Sequence, residues 1–190
     1  FYSAIFPFDQ FGINYFQYAK HETLQHAGFV LSILTMFTML GTPIVGLFSD
    51  KMGRRATIMI LGTLLIMPAF AMMAYSNTPL VVPMGMLGIA FTLVPAIIWP
   101  SVAYIVPERT LGTALGLMTM IQNIGMWAVP LMLGYSNNAM NAGPANPHGY
   151  MGMMRILMTL GMIGIVFALL LRQREVGPHG HGLETIRAGK

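Results

Sequence analysis

Long apolar runs alternate with short polar interruptions along nearly the whole chain. Residues 27–48 and 56–75 contain no charged side chain, and each supplies the roughly 20 residues that a helix needs to cross hydrocarbon. Comparable runs recur at 80–106, 111–135 and 149–171. The first stretch, 1–19, is apolar but carries Asp9, Gln10, Asn14 and Gln17, with Pro7 between Phe6 and Phe8. It reads as the outer part of a truncated first helix. The pattern predicts an all-α, polytopic membrane protein with helices at about 1–19, 27–48, 56–75, 80–106, 111–135 and 149–171, then a polar tail, 172–190. A seven-residue turn, 49–55, and a shorter one, 107–110, interrupt one face, and 20–26, 76–79 and a flexible Asn-, Pro- and Gly-rich loop, 136–148, the other. Pro68 predicts a kink in the third helix, and Pro83, Pro95 and Pro100 predict a broken fourth one, because proline removes a backbone donor.

Polar side chains inside these runs are the candidates for chemistry. Asp9 either faces a bundle interior or water-filled cavity, or lies close enough to the surface to be solvated. Ser32, Thr35, Met39 and Thr42 share one helical face, which lines a cavity or bonds its own backbone or a neighbouring helix. Trp99, beside Pro100, sits deeper than an interfacial aromatic usually does. Thr119, Gln122, Asn123 and Met126 share another face, and a Gln–Asn pair at mid-helix is costly against lipid. It serves either as interhelical glue or as cavity wall. Arg155, near its helix's outer end, can snorkel to the surface.

With 55% hydrophobic and only 8% charged residues and a mean hydropathy of +0.66, the composition excludes an ordinary soluble domain. The pI of about 9.6 does not point to nucleic acid, because topology explains the basic residues. Eight of the ten Lys and Arg fall in 49–55, 107–110 and the tail, leaving Lys20 and Arg155 on the other side. That bias places the first face and the C-terminus in the cytosol. The absence of Cys excludes disulfides and thiolate metal sites. The 19 Met read as flexible core filler, and the tail's His179 and His181 as solvated. No metal or other cofactor is expected, and with no nucleophile–base pair in any helix, neither is an enzyme. The chain starts at Phe1 without an initiator Met or signal peptide and is expected to be the end of a longer protein.

One stretch is more specific. Gly46-Leu47-Phe48-Ser49-Asp50-Lys51-Met52-Gly53-Arg54-Arg55 has glycines that allow close approach or positive φ. Its G-x-x-x-D-x-x-G-R-R spacing resembles the loop signature of the major facilitator superfamily of transporters, where it joins the second and third helices of each six-helix half. The resemblance implies a C-terminal half made of two inverted three-helix repeats, facing an N-terminal half of the same protein. A second stretch, Ile98-Trp99-Pro100-Ser101-Val102-Ala103-Tyr104-Ile105-Val106-Pro107-Glu108 with Leu111 to Gly116 and Ile121 to Gly125, is similar to the lysosomal dipeptide-transporter branch, as is Phe6-Pro7-Phe8. That branch is apolar where this chain has Asp9 and Gln10. By resemblance, Asp50 receives helix-end amides from the opposite half, Arg54 and Arg55 hold an inner gate, and Glu108 and Arg109 belong to the same gating region.

The expected function is alternating-access transport of a small organic solute, of which short peptides are the class implied by resemblance. The cavity candidates are Asp9, Gln10, Asn14, Trp99, Gln122 and Asn123. Proton symport through Asp9 and facilitated uniport both remain open, and a non-transporting scaffold or sensor on the same fold is the alternative. The lipid bilayer, the solute and the N-terminal half are the expected partners, with no nucleic acid. The expected location is a bacterial inner membrane.

Overall fold

The computed structural model describes residues 1–178 and 180–185. His179 and residues 186–190, part of the expected tail, lie outside the described residues. Among those described, seven α-helices and one short 3-10 helix make up the regular structure. They are α1 (Tyr2–Ala19), α2 (Leu24–Met52), α3 (Arg55–Leu64), α4 (Ile66–Tyr75), α5 (Val81–Ile105), α6 (Glu108–Ala139), the 3-10 helix Pro147–Tyr150, and α7 (Met151–Val176). Five stretches are long and apolar enough to cross a membrane: α2, α3 with α4, α5, α6, and the 3-10 helix with α7. The polar Asp9, Gln10, Asn14 and Gln17 keep the 18-residue α1 out of that set.

Local chemistry explains where elements depart from the expected bounds. α2 starts three residues early because the Thr23 side chain accepts a hydrogen bond from His26 N, the usual helix cap. It also runs to Met52 and stops at Gly53, whose φ of 69° ends a helix at no steric cost. The expected seven-residue turn is therefore only Gly53 and Arg54. Pro68 has the effect foreseen: lacking an N–H and crowding Leu64, it separates α3 from α4 at Leu65, whose N bonds to Gly62 O instead. The fourth helix is not broken, since α5 continues through Pro95 and Pro100. Pro83 lies in its first turn, where no donor is needed. The loop after α6 is a folded turn rather than a flexible one. Ala142 N bonds to Asn137 O at 2.8 Å, and the Asn146 side chain to Met140 O at 2.8 Å. The tail begins later than expected, because 172–176 are still helical.

Lipid gives helices no hydrophobic reward for meeting, so close contact and hydrogen bonds must hold them together. The most extensive contact joins α2 to α5. It is a reciprocal fit of small residues: a Cβ built on Gly41 would sit 2.5 Å from Thr92 Cγ2, and one on Gly88 would sit 2.7 Å from Phe37 Cβ. The Thr92 hydroxyl also lies 3.0 Å from Phe37 O across the seam. Exchanging the two three-helix repeats turns the α2–α5 pair into α6–α1, which is also in contact, and turns the pairing of α3 and α4 with α7 into itself. The contact pattern thus has the pseudo-twofold form of inverted repeats.

The main core lies toward the 20–26 side, around Phe8, Phe16, Phe70, Met84, Leu87 and Leu157. Toward the basic face only a small cluster forms, Ala56, Ile58, Met59 and Ile97. α6 is the least embedded helix, buried only at Val129 and Leu133, on either side of Pro130. A cavity of about 510 Å³ is lined by Ile121 of α6 and by residues of α1, α3, α5 and α7.

The seam makes a direct prediction. Gly88→Ala must displace Phe37, a kind of overpacking that costs about 1–3 kcal/mol, and should lower the melting temperature in detergent. Gly28→Ala, whose added Cβ meets nothing within 4 Å, should leave it unchanged or raise it. Equal melting curves for the two variants would refute the reciprocal-glycine seam.

Candidate functional site

The basic face gathers the end of α2, the start of α3 and the end of α5. Inside α2, Ser49 donates to Gly46 O at 2.9 Å, which leaves the Asp50 carboxylate facing the next helix. The chain then turns through Gly53 and through Arg54, which sits in the left-handed region at φ 46°. That geometry swings Arg55 beneath Asp50, and its Nη2 donates to Asp50 Oδ1 at 2.7 Å. Arg55 is only 1% exposed, while the Asp50 side chain is 43% exposed. The guanidinium also lies over the Tyr104 ring, 4.1 Å from its centroid, a favourable cation–π placement. Its Nε and Nη1 have no hydrogen-bond partner among the described residues.

This arrangement adds detail to the roles expected of the motif. Within this chain Asp50 pairs with Arg55, an interaction additional to the one with the opposite half that the motif implies. The two arginines also do different work, because Arg54 is exposed and Arg55 is buried. Gly53 uses its freedom, whereas a Cβ built on Gly46 would meet nothing within 4 Å in this chain. Glu108 sits in the first turn of α6, beside its free amides. It and Arg109 are exposed, and neither joins the Asp50–Arg55 pair.

The cavity candidates separate by depth. α1 and α6 run in the same direction, with Ser3 against Gly125 and Phe11 against Gly134. Gln122 and Asn123 therefore lie near the level of Phe1 and Tyr2, whereas Asp9 and Gln10 stand about two turns, or roughly 10 Å, higher. Trp99 belongs to the lower level, where its Nε1 donates to the Tyr2 hydroxyl at 2.7 Å. The six residues do not form one cluster. Asp9, Gln10 and Asn14 form an exposed polar strip on α1, and Asp9 borders a cavity of about 230 Å³ with Phe6, Leu34, Thr35, Thr38 and Phe91. Gln122 is half-buried with Met126 Sδ 3.5 Å from its Nε2, and Asn123 is exposed.

The hydroxyl stripes divide between their two readings. Ser32 and Thr119 each donate to the carbonyl four residues earlier. Thr35 lies at the Asp9 cavity, and the buried Thr42 hydroxyl meets no hydrogen-bond partner among the described residues. Sequence reasoning missed Tyr2 and Tyr104, each an aromatic partner brought in from a distant segment. It also missed Glu184, whose carboxylate accepts from Thr57 N at 2.7 Å across 127 residues.

Comparison with known proteins places this geometry in a family. The chain's residues 1–188 match the model of the Major Facilitator Superfamily. It is 30% identical to the lysosomal dipeptide transporter MFSD1 of Gallus gallus over 134 residues, covering 70% of this chain and 30% of that protein. The proteins of the same name from Homo sapiens and Danio rerio are 30% and 31% identical over 134 residues, which is 70% of this chain and 29% of each relative. The matched region thus spans less than a third of each relative's length. An all-helical bundle of inverted repeats, a G-x-x-x-D-x-x-G-R-R turn and a family match along nearly the whole sequence lead to one assignment: this chain belongs to the Major Facilitator Superfamily of membrane transporters.

Proposed function

We propose that this chain forms one six-helix half of a carrier for short peptides, working by alternating access against a second half. Membership of a transporter family carries the general reading. The observation that favours a polar solute is the exposed strip Asp9, Gln10 and Asn14 on α1, since uncovered polar groups at membrane depth belong to a wall facing water or protein. Dipeptides are the class named for the relatives in chicken, fish and human. In this reading Asp9 and its neighbours meet the solute's polar groups, while Trp99, held by Tyr2, shapes the lower end of the cavity. The Asp50–Arg55 pair stiffens the basic face as an inner gate. Charge asymmetry turns that face to the cytosol, in a bacterial inner membrane as expected from the sequence or in a lysosomal membrane, where the relatives' names place them.

Two measurements test this reading. In the full-length protein reconstituted in liposomes, uptake of labelled alanyl-alanine should be saturable. Asp50→Ala, which leaves the buried Arg55 cation unpaired, should slow turnover by roughly an order of magnitude, equivalent to about 1.4 kcal/mol. Lys51→Ala, at an exposed position, should not. Saturable binding of the peptide without any uptake would favour the sensor reading instead.

The second measurement uses the lack of native Cys. Single Cys at 10, 14 and 123 should react with a membrane-impermeant maleimide in at least one state of the transport cycle. Cys at 99, in a half-buried position, should react several-fold more slowly. Protection of 10 and 14 in every state would mean that the α1 strip packs against protein and lines no cavity.

A further inference from the structure

The last described residues fold back onto the basic face. α7 ends at Val176, and a turn at Gly177, to whose carbonyl Gly180 N bonds at 3.0 Å, reverses the chain. The side chain of Glu175 is only 3% exposed and anchors the returning segment through three contacts. It accepts from His181 N at 2.9 Å and Leu183 N at 3.2 Å, and one oxygen lies 3.2 Å from His181 Nδ1. Leu183 is buried, at 1% exposure. Gly180 passes so close to the carbonyl oxygen of Glu175 that an added Cβ would overlap it.

Beyond this anchor, segment 180–185 meets the start of α3. Arg55 N donates to Leu183 O at 2.9 Å, and Arg54 N to Glu184 O at 3.2 Å. The Glu184 carboxylate accepts from Thr57 N at 2.7 Å and lies within 3.0 Å of the Thr57 hydroxyl. α3 has no capping side chain of its own, because its N-cap position is Arg54. The first amides of a helix need acceptors, and a carboxylate there also meets the favourable end of the helix dipole. The segment supplies both from the far end of the sequence.

We propose that segment 180–185 is a latch that caps α3 and thereby fixes the turn presenting Arg55 to Asp50. Glu184 is a positioning residue for that pair, and Glu175 is the anchor of the latch. The role follows from the geometry of the turn. Arg54 holds a left-handed backbone that a non-glycine residue adopts only when its surroundings impose it, and the Glu184 carbonyl is the acceptor that its N–H meets. The latch ties the third helix of the first repeat, at the Gly53–Arg54 turn where it starts, to the last helix of the second. Its service to transport rests on the gate reading proposed above, whereas its existence does not.

The test uses the full-length protein carrying Glu184→Ala, Glu184→Gln or Gly180→Ala, the last lifting the latch without changing charge. Hydrogen exchange at the amides of Arg54, Arg55 and Thr57 reads the latch directly. Exchange should quicken by roughly two- to thirtyfold in Glu184→Ala, the range that follows from losing a helix cap. Gly180→Ala should behave likewise and Glu184→Gln, which keeps an acceptor, should be intermediate, with protection in α4 unchanged in all three. In liposomes, alanyl-alanine turnover should fall in the same order with an unaltered KM, because no latch residue touches the solute. Unchanged exchange at the three amides would overturn the latch. Faster exchange with normal turnover, in a protein that Asp50→Ala still slows, would overturn the positioning role. If Asp50→Ala leaves turnover normal as well, the gate reading fails and the positioning role fails with it, while faster exchange would still establish the cap.

Discussion

The seam between α2 and α5 is the contact on which the rest of this bundle depends. A glycine on each helix receives a side chain from the other, Thr92 at Gly41 and Phe37 at Gly88. The two glycines therefore let the backbones approach closely, and dispersion replaces the hydrophobic drive that lipid withholds. The seam joins the two repeats, so it also decides how the remaining helices are hung. α3 and α4 lie against both α5 and α7, and α1 rests on α2 and α6. A main core forms on the side where these contacts converge. On the opposite side a small apolar cluster is joined by polar interactions.

Those polar interactions centre on one buried cation. Arg55 is withdrawn from water at the point where α2 ends, α3 begins and α5 passes beneath. A buried guanidinium is tolerated only with partners, and those of Arg55 come from different helices, Asp50 from α2 and Tyr104 from α5, while the Leu183 carbonyl meets its backbone N–H. The basic face is therefore organised by electrostatics where the other face is organised by packing.

Most of the architecture is legible in the sequence because the bilayer imposes a length and an apolar composition on each crossing segment. The kink at Pro68 follows from a missing donor. The details that escaped are those that local pattern cannot hold. α5 continues through Pro95 and Pro100, and Thr23 and Gly53 move the ends of α2 by a few residues. At the candidate site the motif identified Asp50 and the two arginines, but it could not say that one arginine is buried and the other exposed. That difference comes from the left-handed Arg54 and from contacts with Tyr104 and Glu184, which lie far off in sequence. Likewise, Gln122 and Asp9 are both polar residues at membrane depth, yet only the pairing of α1 with α6 reveals the two-turn offset between them.

The sparse embedding of α6 has a mechanical meaning. Its only buried side chains, Val129 and Leu133, flank Pro130, so the helix is pinned to its neighbours at the place where its own backbone lacks one hydrogen bond. From there toward the basic face it stands across a cavity of about 510 Å³ from α3, α5 and α7. A helix buried only around its least hydrogen-bonded section, with a cavity beside one arm, has fewer packing contacts to give up on that arm than α2 and α5 have along their seam.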